Sequence, residues 1–339
     1  MKIKIATTLL LCIYLICACT TETKQQEIPT SSPVDSTKTE KEEIKELTAG
    51  DIEISKEFLY DKYTLEDSYP YKDTTRVFQW DKIKEKLAHL ENVQRIHDKW
   101  GGILQNYKNG NGEAPLIKEW KRNEYKRVAD MHGVERYQSV PLFSPEDSIT
   151  GERYGRDGAL VKIMEQDTTS NFIKIETTEY DGEWLVPKKY VKIVSDSINF
   201  THAIFVDRKN ENIATLEKSG DKWIVRSMNP ATTGLHNPPY QQETPLGMFV
   251  IQEKKSKMFF LVDGTTRTGG FAPYANRFTN GGGYIHGVPV NAPRTALIEY
   301  SASLGTTPRS HMCVRNATSH AKFVYDNFPT LATIVFVIE

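Results

Sequence analysis

The chain has 339 residues, 39% apolar and 26% charged, and its 43 Lys+Arg against 44 Asp+Glu leave a formal net charge of -1. That length suits two or three domains, and the composition is that of an ordinary globular protein. Near-neutrality gives no electrostatic case for nucleic acid as a partner; a neutral or zwitterionic polymer or a small peptide is easier to accommodate.

Lys2 and Lys4 precede an apolar run, Ile5 to Ala18, that is too short to span a bilayer and has the build of a signal peptide. The run ends in "ICAC": small Ala18 stands before Cys19, and polar Thr20 and Thr21 follow. This resembles a bacterial lipobox, although Cys17 is unusual at its position. Residues 1–18 are therefore expected to be a lipoprotein signal peptide and Cys19 the lipidated residue. Acyl chains there would anchor the protein stably at a membrane of the cell envelope, facing the periplasm. Residues 19–47 are rich in Thr, Ser, Glu, Lys and Pro and read as a disordered tether with a mean reach of roughly 30 Å. With Cys12 and Cys17 removed and Cys19 acylated, Cys313 is left as the lone thiol of an exported protein. Such a thiol is exposed to oxidation, which favours a working residue over an inert buried one.

Residues 48–135 form a mixed region. Ile83, Leu87, Leu90, Val93 and Ile96 recur at three- or four-residue spacing, which predicts a helix over 80–99 ended by Gly101-Gly102. Residues 136–195 read as short alternating strands, with Asp181-Gly182 as a hairpin turn. The "EWLVPKKYV" ending resembles the close of a small bacterial SH3-like β-barrel.

Residues 198–339 are β-rich again. "HAIFVDRKNENIATLEKSGDKWIVRSMNPAT" predicts three strands, "TPLGMFVIQEK", "KMFFLVDG" and "GGGYIHGVPV" further ones, "SHAKFVYDNF" a helix and "LATIVFVIE" a terminal strand. A thiol that attacks an amide needs a base, a fixed orientation of that base, and donors for the oxyanion. Three histidines are near in sequence. His311, two residues before Cys313, would point the same way as the thiol on an extended strand, which suits a structural or substrate-holding role. His286 sits at the end of a predicted strand, with Gly287 allowing close backbone approach, and is the better base. His320, on the predicted helix, reads as a surface or capping residue.

"IHG" followed by "SHMCVR" resembles the signature of the L,D-transpeptidase catalytic (YkuD) family. "TPLGMFVI" and "HAIFVDRKNENIATLE" resemble two further segments of that family in the same order. The resemblance covers 198–339 and implies a mainly β protein with a C-terminal β-sandwich or barrel, preceded by the SH3-like barrel and the mixed α/β region. It implies that Cys313 is the nucleophile and His286 its base, oriented by the backbone carbonyl of Gly287. Ser310, His311, Met312, Arg315 and Tyr284 would form the oxyanion loop and substrate contacts, with Arg315 bracing the loop or binding a carboxylate. The implied reaction is acyl transfer on peptidoglycan stem peptides, with no metal and no cofactor. Water as acceptor would make the site an L,D-carboxypeptidase.

Two features depart from the family pattern. Met312 replaces the usual glycine and is strained if the position needs positive φ. The His-to-Cys interval is also long, which implies an insertion within "NAPRTALIEYSASLGTTPR". Competing readings are a zinc site on His286, His311 and Cys313, a sortase, a wall peptidase with the order of Cys and His reversed, and a non-catalytic peptidoglycan-binding lipoprotein.

Overall fold

A computed structural model describes residues 45–96, 101–165, 169–178, 180–194, 199–279 and 282–339. The expected signal peptide (1–18), Cys19 and nearly all of the expected tether lie outside the described residues. Residues 44–339 form one compact unit.

A short strand, β1 (Ile54–Lys56), precedes helix α1 (Trp80–Ile96). The helix buries Ile83, Leu87, Leu90 and Val93, the stripe its spacing predicts. Next comes a five-stranded sheet built from β2 (Gly102–Leu104), β3 (Leu160–Glu165), β4 (Phe172–Thr177), β5 (Glu183–Pro187) and β6 (Val191–Ile193) in the order β5-β4-β3-β2-β6. The β4–β5 hairpin turns at Gly182, where φ is +91°, as the Asp-Gly dipeptide predicts. The sheet takes β2 from well ahead of residue 136, so the expected boundary of the barrel does not coincide with the sheet.

The C-terminal part holds β7 (His202–Asp207), β8 (Asn212–Ser219), β9 (Lys222–Pro230), β10 (Gly247–Val250), β11 (Glu253–Leu261), β12 (Thr268–Thr279), β13 (Gly283–His286), β14 (Val290–Asn291), β15 (Val314–Arg315), α2 (Thr318–Asn327) and β16 (Thr333–Ile338). One sheet runs β1-β9-β8-β7-β16-β10; the other runs β11-β12-β13-β15, with β14 beside β12. The fold is mainly β, as expected.

Two apolar cores explain why β16 is one continuous hydrophobic run. One face of the six-stranded sheet presents Phe205, Trp223 and Phe336 to α1. The other presents Ile204, Phe249 and Val335 to Phe278 and Ile285 of the second sheet and to Val324 and Phe328 at α2. A strand covered on both faces has no solvent side on which to alternate. The N-terminal region is thus part of the same scaffold as the C-terminal sheets: β1 pairs in parallel with β9, and α1 caps the sheet.

Candidate active site

His286 is the last residue of β13, and Cys313 immediately precedes β15. These two strands pair in parallel, with Ile285 opposite Val314 and His286 opposite Arg315. Distant segments are thereby held one ladder step apart. The His286 Nδ1 lies 2.6 Å from the Gly287 carbonyl oxygen. A carbonyl only accepts, so Nδ1 carries the proton and Nε2 keeps its lone pair. Gly287 must be glycine for this approach: a Cβ there would sit 2.8 Å from Thr318 Oγ1 and 2.9 Å from Pro273 Cγ.

His286 and Cys313 are both buried and line one cavity of about 660 Å3. Burial pulls the imidazole down to about 4 and pushes the thiol up to about 11. The Tyr284 N–H and the Arg315 charge favour the thiolate only in part. The resting pair is therefore neutral thiol and neutral imidazole. The thiol donates to the Gly282 carbonyl at 3.3 Å.

The loop before Cys313 is held from beneath. Ser310 Oγ donates to the Cys313 carbonyl. The Thr233 carbonyl accepts from the N–H groups of Arg309 and Ser310, at 2.9 and 3.0 Å, and Arg315 exchanges two backbone bonds with Thr232. Thr244, of "TPLG", donates to the Met312 carbonyl at 2.8 Å and accepts from the Gly234 N–H at 2.9 Å. Among the described residues no backbone acceptor takes the Cys313 N–H, which leaves a donor beside the thiol suited to an oxyanion.

Met312 has φ of +95°, a conformation that suits glycine. The chain is therefore not extended from 311 to 313, and His311 and Cys313 do not share a face. His311 turns outward, and its Nε2 lies 2.9 Å from Asp263 in the β11–β12 connection. Among the described residues no group of three or more His, Cys, Asp or Glu is placed to hold a metal ion, so the zinc reading on His286, His311 and Cys313 has no assembled site. Met312 is itself buried. Met312→Gly relieves the strained backbone but loses packing, whereas Met312→Ala loses packing and keeps the strain. We expect the alanine variant to be the less stable by about 1 kcal/mol, the reverse of the usual order for this pair, as read from denaturant unfolding.

Two further expectations change. Tyr284 is buried behind the site, packed with Ala275 and Cys313 and bonded to Tyr107 and Lys255 at 3.3 and 3.2 Å. It does not line the cavity; it offers its backbone N–H to the thiol. His320 is neither a surface nor a capping residue. It is fully buried, bonded to Ser227 at 2.8 Å and Asn316 at 3.2 Å. Arg315 lines the cavity next to Cys313.

Sequence reasoning missed the walls. The long His-to-Cys interval supplies Ile298, Tyr300 and Leu304 on one side, and β11 supplies Met258 and Phe260 on the other. It also missed Glu211, which is buried and accepts from the Thr233 N–H at 2.9 Å and from the Thr233 hydroxyl. Burial pushes this carboxyl up from 4.5 to about 7, with the Thr233 bonds pulling the other way. The folded group then keeps a proton that the unfolded group has lost, so stability falls as pH rises from about 4.5 to about 7. Glu211→Gln removes that slope, and its stability relative to the parent is expected to grow between about pH 5 and about pH 8 in denaturant titrations.

A buried thiol and a tautomer-fixed imidazole on adjacent parallel strands define a cysteine–histidine site in a β-sandwich. Residues 201–337 match the family model of the YkuD L,D-transpeptidase catalytic domain, and the chain carries that domain. Similar solved structures include a fused Zn-dependent amidase/peptidase/peptidoglycan-binding domain-containing protein from Clostridium acetobutylicum, 20% identical over 40% of this chain and 51% of that one, with a TM-score of 0.29. This chain thus spans about half the length of the Clostridium protein. An L,D-transpeptidase from Mycobacterium smegmatis is 17% identical over 53% of this chain and 82% of that one, with a TM-score of 0.34. One from Enterococcus faecium is 13% identical over 86% and 96%, with a TM-score of 0.33. The scores are low, and the assignment rests on the family model. No curated protein matches the sequence.

Proposed function

We propose that the protein is a peptidoglycan L,D-transpeptidase in which Cys313 is the nucleophile and His286 the base. The observation that carries this reading is the strand pairing that brings His286, with its proton fixed on Nδ1, to the same cavity as the only thiol of the described residues. The thiol leaves the Gly282 carbonyl, gives its proton to His286 Nε2, and attacks the carbonyl between a diaminopimelate-type residue and the terminal D-Ala of a tetrapeptide stem. The Cys313 N–H stabilises the oxyanion. The C–N bond breaks, Nε2 returns the proton to the departing D-Ala amine, and a thioester remains. An amine from a second stem, or from a protein lysine, then attacks; its proton passes to Nε2 and on to the released sulfur. Arg315, beside the thiol, suits a stem carboxylate. Lipidation at Cys19 and the tether would hold the domain at a membrane of the cell envelope within reach of the wall.

The test incubates the protein with a tetrapeptide-stem muropeptide in water enriched in 18O and follows products by mass spectrometry. The expected result is loss of D-Ala, a thioester adduct on Cys313 and a cross-linked dimer. Incorporation of 18O without a dimer would assign the site to the L,D-carboxypeptidase reaction instead. Identical products from Cys313→Ala would exclude both reactions at Cys313, and no product from either protein would leave a wall-binding lipoprotein.

A further inference from the structure

A second groove, of about 620 Å3, lies on the other side of the cysteine loop. His311 lines both cavities, and Met312 lines only this one. Its far wall carries Asn123, Tyr125 and Tyr137, which precede the catalytic domain in sequence, and its near wall carries Tyr240 and Gln242. The proposed reaction assigns this groove no task.

Its chemistry narrows the ligand. Both carboxylates that line it are already ion-paired: Glu135 with Arg127 at 3.0 Å and Glu243 with Arg208 at 3.1 Å. Glu135 also accepts from Asn123 at 2.7 Å and Gln242 at 2.6 Å. A free ammonium therefore meets no unpaired carboxylate here, and Arg127 and Arg208 are equally engaged. Arg156 also lines the groove and is not without a partner; apart from the histidines His132 and His311, the groups that remain are neutral. Tyr137 and Tyr240 are each 48% exposed. Gln242 has its amide nitrogen on Glu135, which leaves its amide oxygen as an acceptor. Exposed tyrosine rings present an apolar face with a polar tip. Rings of that kind beside amide groups match a pyranose, which has C–H groups on its faces and hydroxyl and acetamido groups at its rim.

We infer that this groove binds an N-acetylated hexosamine of the glycan strand, seating the sugar on one side of the cysteine loop while its stem enters the reaction cavity on the other. The inference rests on the proposed transpeptidase reading for its biological substrate, but the binding itself does not depend on the chemistry of Cys313. Outcomes for the two can therefore be separated.

The experiment titrates a peptide-free β-1,4-linked N-acetylglucosamine tetramer into the full chain in detergent. The readout is the 13C-methyl resonance of Met312, which reports on the shared wall. Saturable binding with a Kd of about 1 mM is expected, with a shift of the Met312 signal and undiminished binding to Cys313→Ala. Tyr137→Ala and Tyr240→Ala are each expected to weaken binding at least about fivefold, with Tyr137→Phe retaining it. Both positions are half-exposed, so the variants fold, and their methyl spectra verify it. No binding at concentrations of about 10 mM, or binding unaffected by both alanine variants, overturns the inference. So does a sugar-free stem tetrapeptide whose binding falls in the same two variants, since the groove would then be a peptide site. Loss of transpeptidation with sugar binding intact would count against the reaction and leave the groove's assignment standing.

Discussion

Replacement of His286 by alanine is expected to lower the rate of Cys313 acylation by about 10²–10⁴-fold at neutral pH. The reason lies in the protonation of the pair. Many reactive cysteines rest as thiolates beside a cation; here burial lifts the thiol to about 11 and lowers the imidazole to about 4. With the thiol so high, in the proposed reaction the proton must be removed as the sulfur attacks, and His286, which lines the same cavity, is the base assigned to take it. The sign of the pH dependence follows. His286 acts as a base only when neutral, so the parent's acylation rate is expected to stay level from neutral pH down through the ordinary imidazole range near 6.5 and to fall only toward about 4. The variant must rely on spontaneous ionisation. Its rate should rise about tenfold per pH unit up to about pH 11. Mass-spectrometric acylation rates measured across pH for both proteins check this. A parent rate that halves near pH 6.5 would mean an imidazole that burial does not shift, and a variant with a level profile would mean a thiol already ionised at rest; either result overturns the neutral assignment.

The parts of the site that could be read from the sequence are those carried by short contiguous motifs. "IHG" marked both the imidazole and the carbonyl that orients it, because a residue and its successor are always near one another. "SHMCVR" marked the thiol, and the question of positive φ at Met312 could be posed from the sequence because only backbone conformation is at stake there. What escaped depends on long-range closure. Ile298 and Tyr300 looked like an insertion, yet the fold makes them a cavity wall: Thr318, at the start of α2, bonds the carbonyls of Ile298 and Glu299 at 2.6 and 2.8 Å. Glu211 carried no motif at all; its role exists only because β8 begins beneath Thr233. His320 was misread because a helix has two sides and the periodicity of a ten-residue helix does not say which one faces β9. The stripe on α1 was legible, but not the surface it covers, since amphipathic spacing states that a helix packs without naming its partner.

The second large effect concerns the contact between the five-stranded sheet region and the strands that carry the site. Asp157 and Arg277 are both buried, and Arg277 Nη1 lies 2.6 Å from Asp157 Oδ2. Asp157 Oδ1 also accepts the Asn106 N–H at 2.6 Å, while the Arg277 guanidinium stacks 4.3 Å from the centre of the Tyr107 ring. Removing Asp157 leaves the buried Arg277 only the partly exposed Glu253, 3.4 Å from its Nε, in a medium that solvates it poorly. Asp157→Ala is therefore expected to destabilise the protein by about 3–5 kcal/mol. Replacing both, as Asp157→Leu with Arg277→Met, should recover much of that loss, because no charge is then left buried. The effect should also reach the chemistry. Arg277 on β12 stands opposite Tyr284 on β13 in the register of the second sheet, two residues before His286, and Tyr284 packs on Cys313. An Arg277 that has lost Asp157 and turns toward the partly exposed Glu253 would pull at the ladder that sets the spacing of imidazole and thiol. Denaturant unfolding gives the stability of the single and double variants, and acylation rates taken well below the unfolding transition separate a loosened site from a smaller folded fraction. If the double variant regains stability and acylates like the parent, the pair serves as charge compensation alone. If stability returns but acylation stays slow, the ion pair fixes the strand that carries His286.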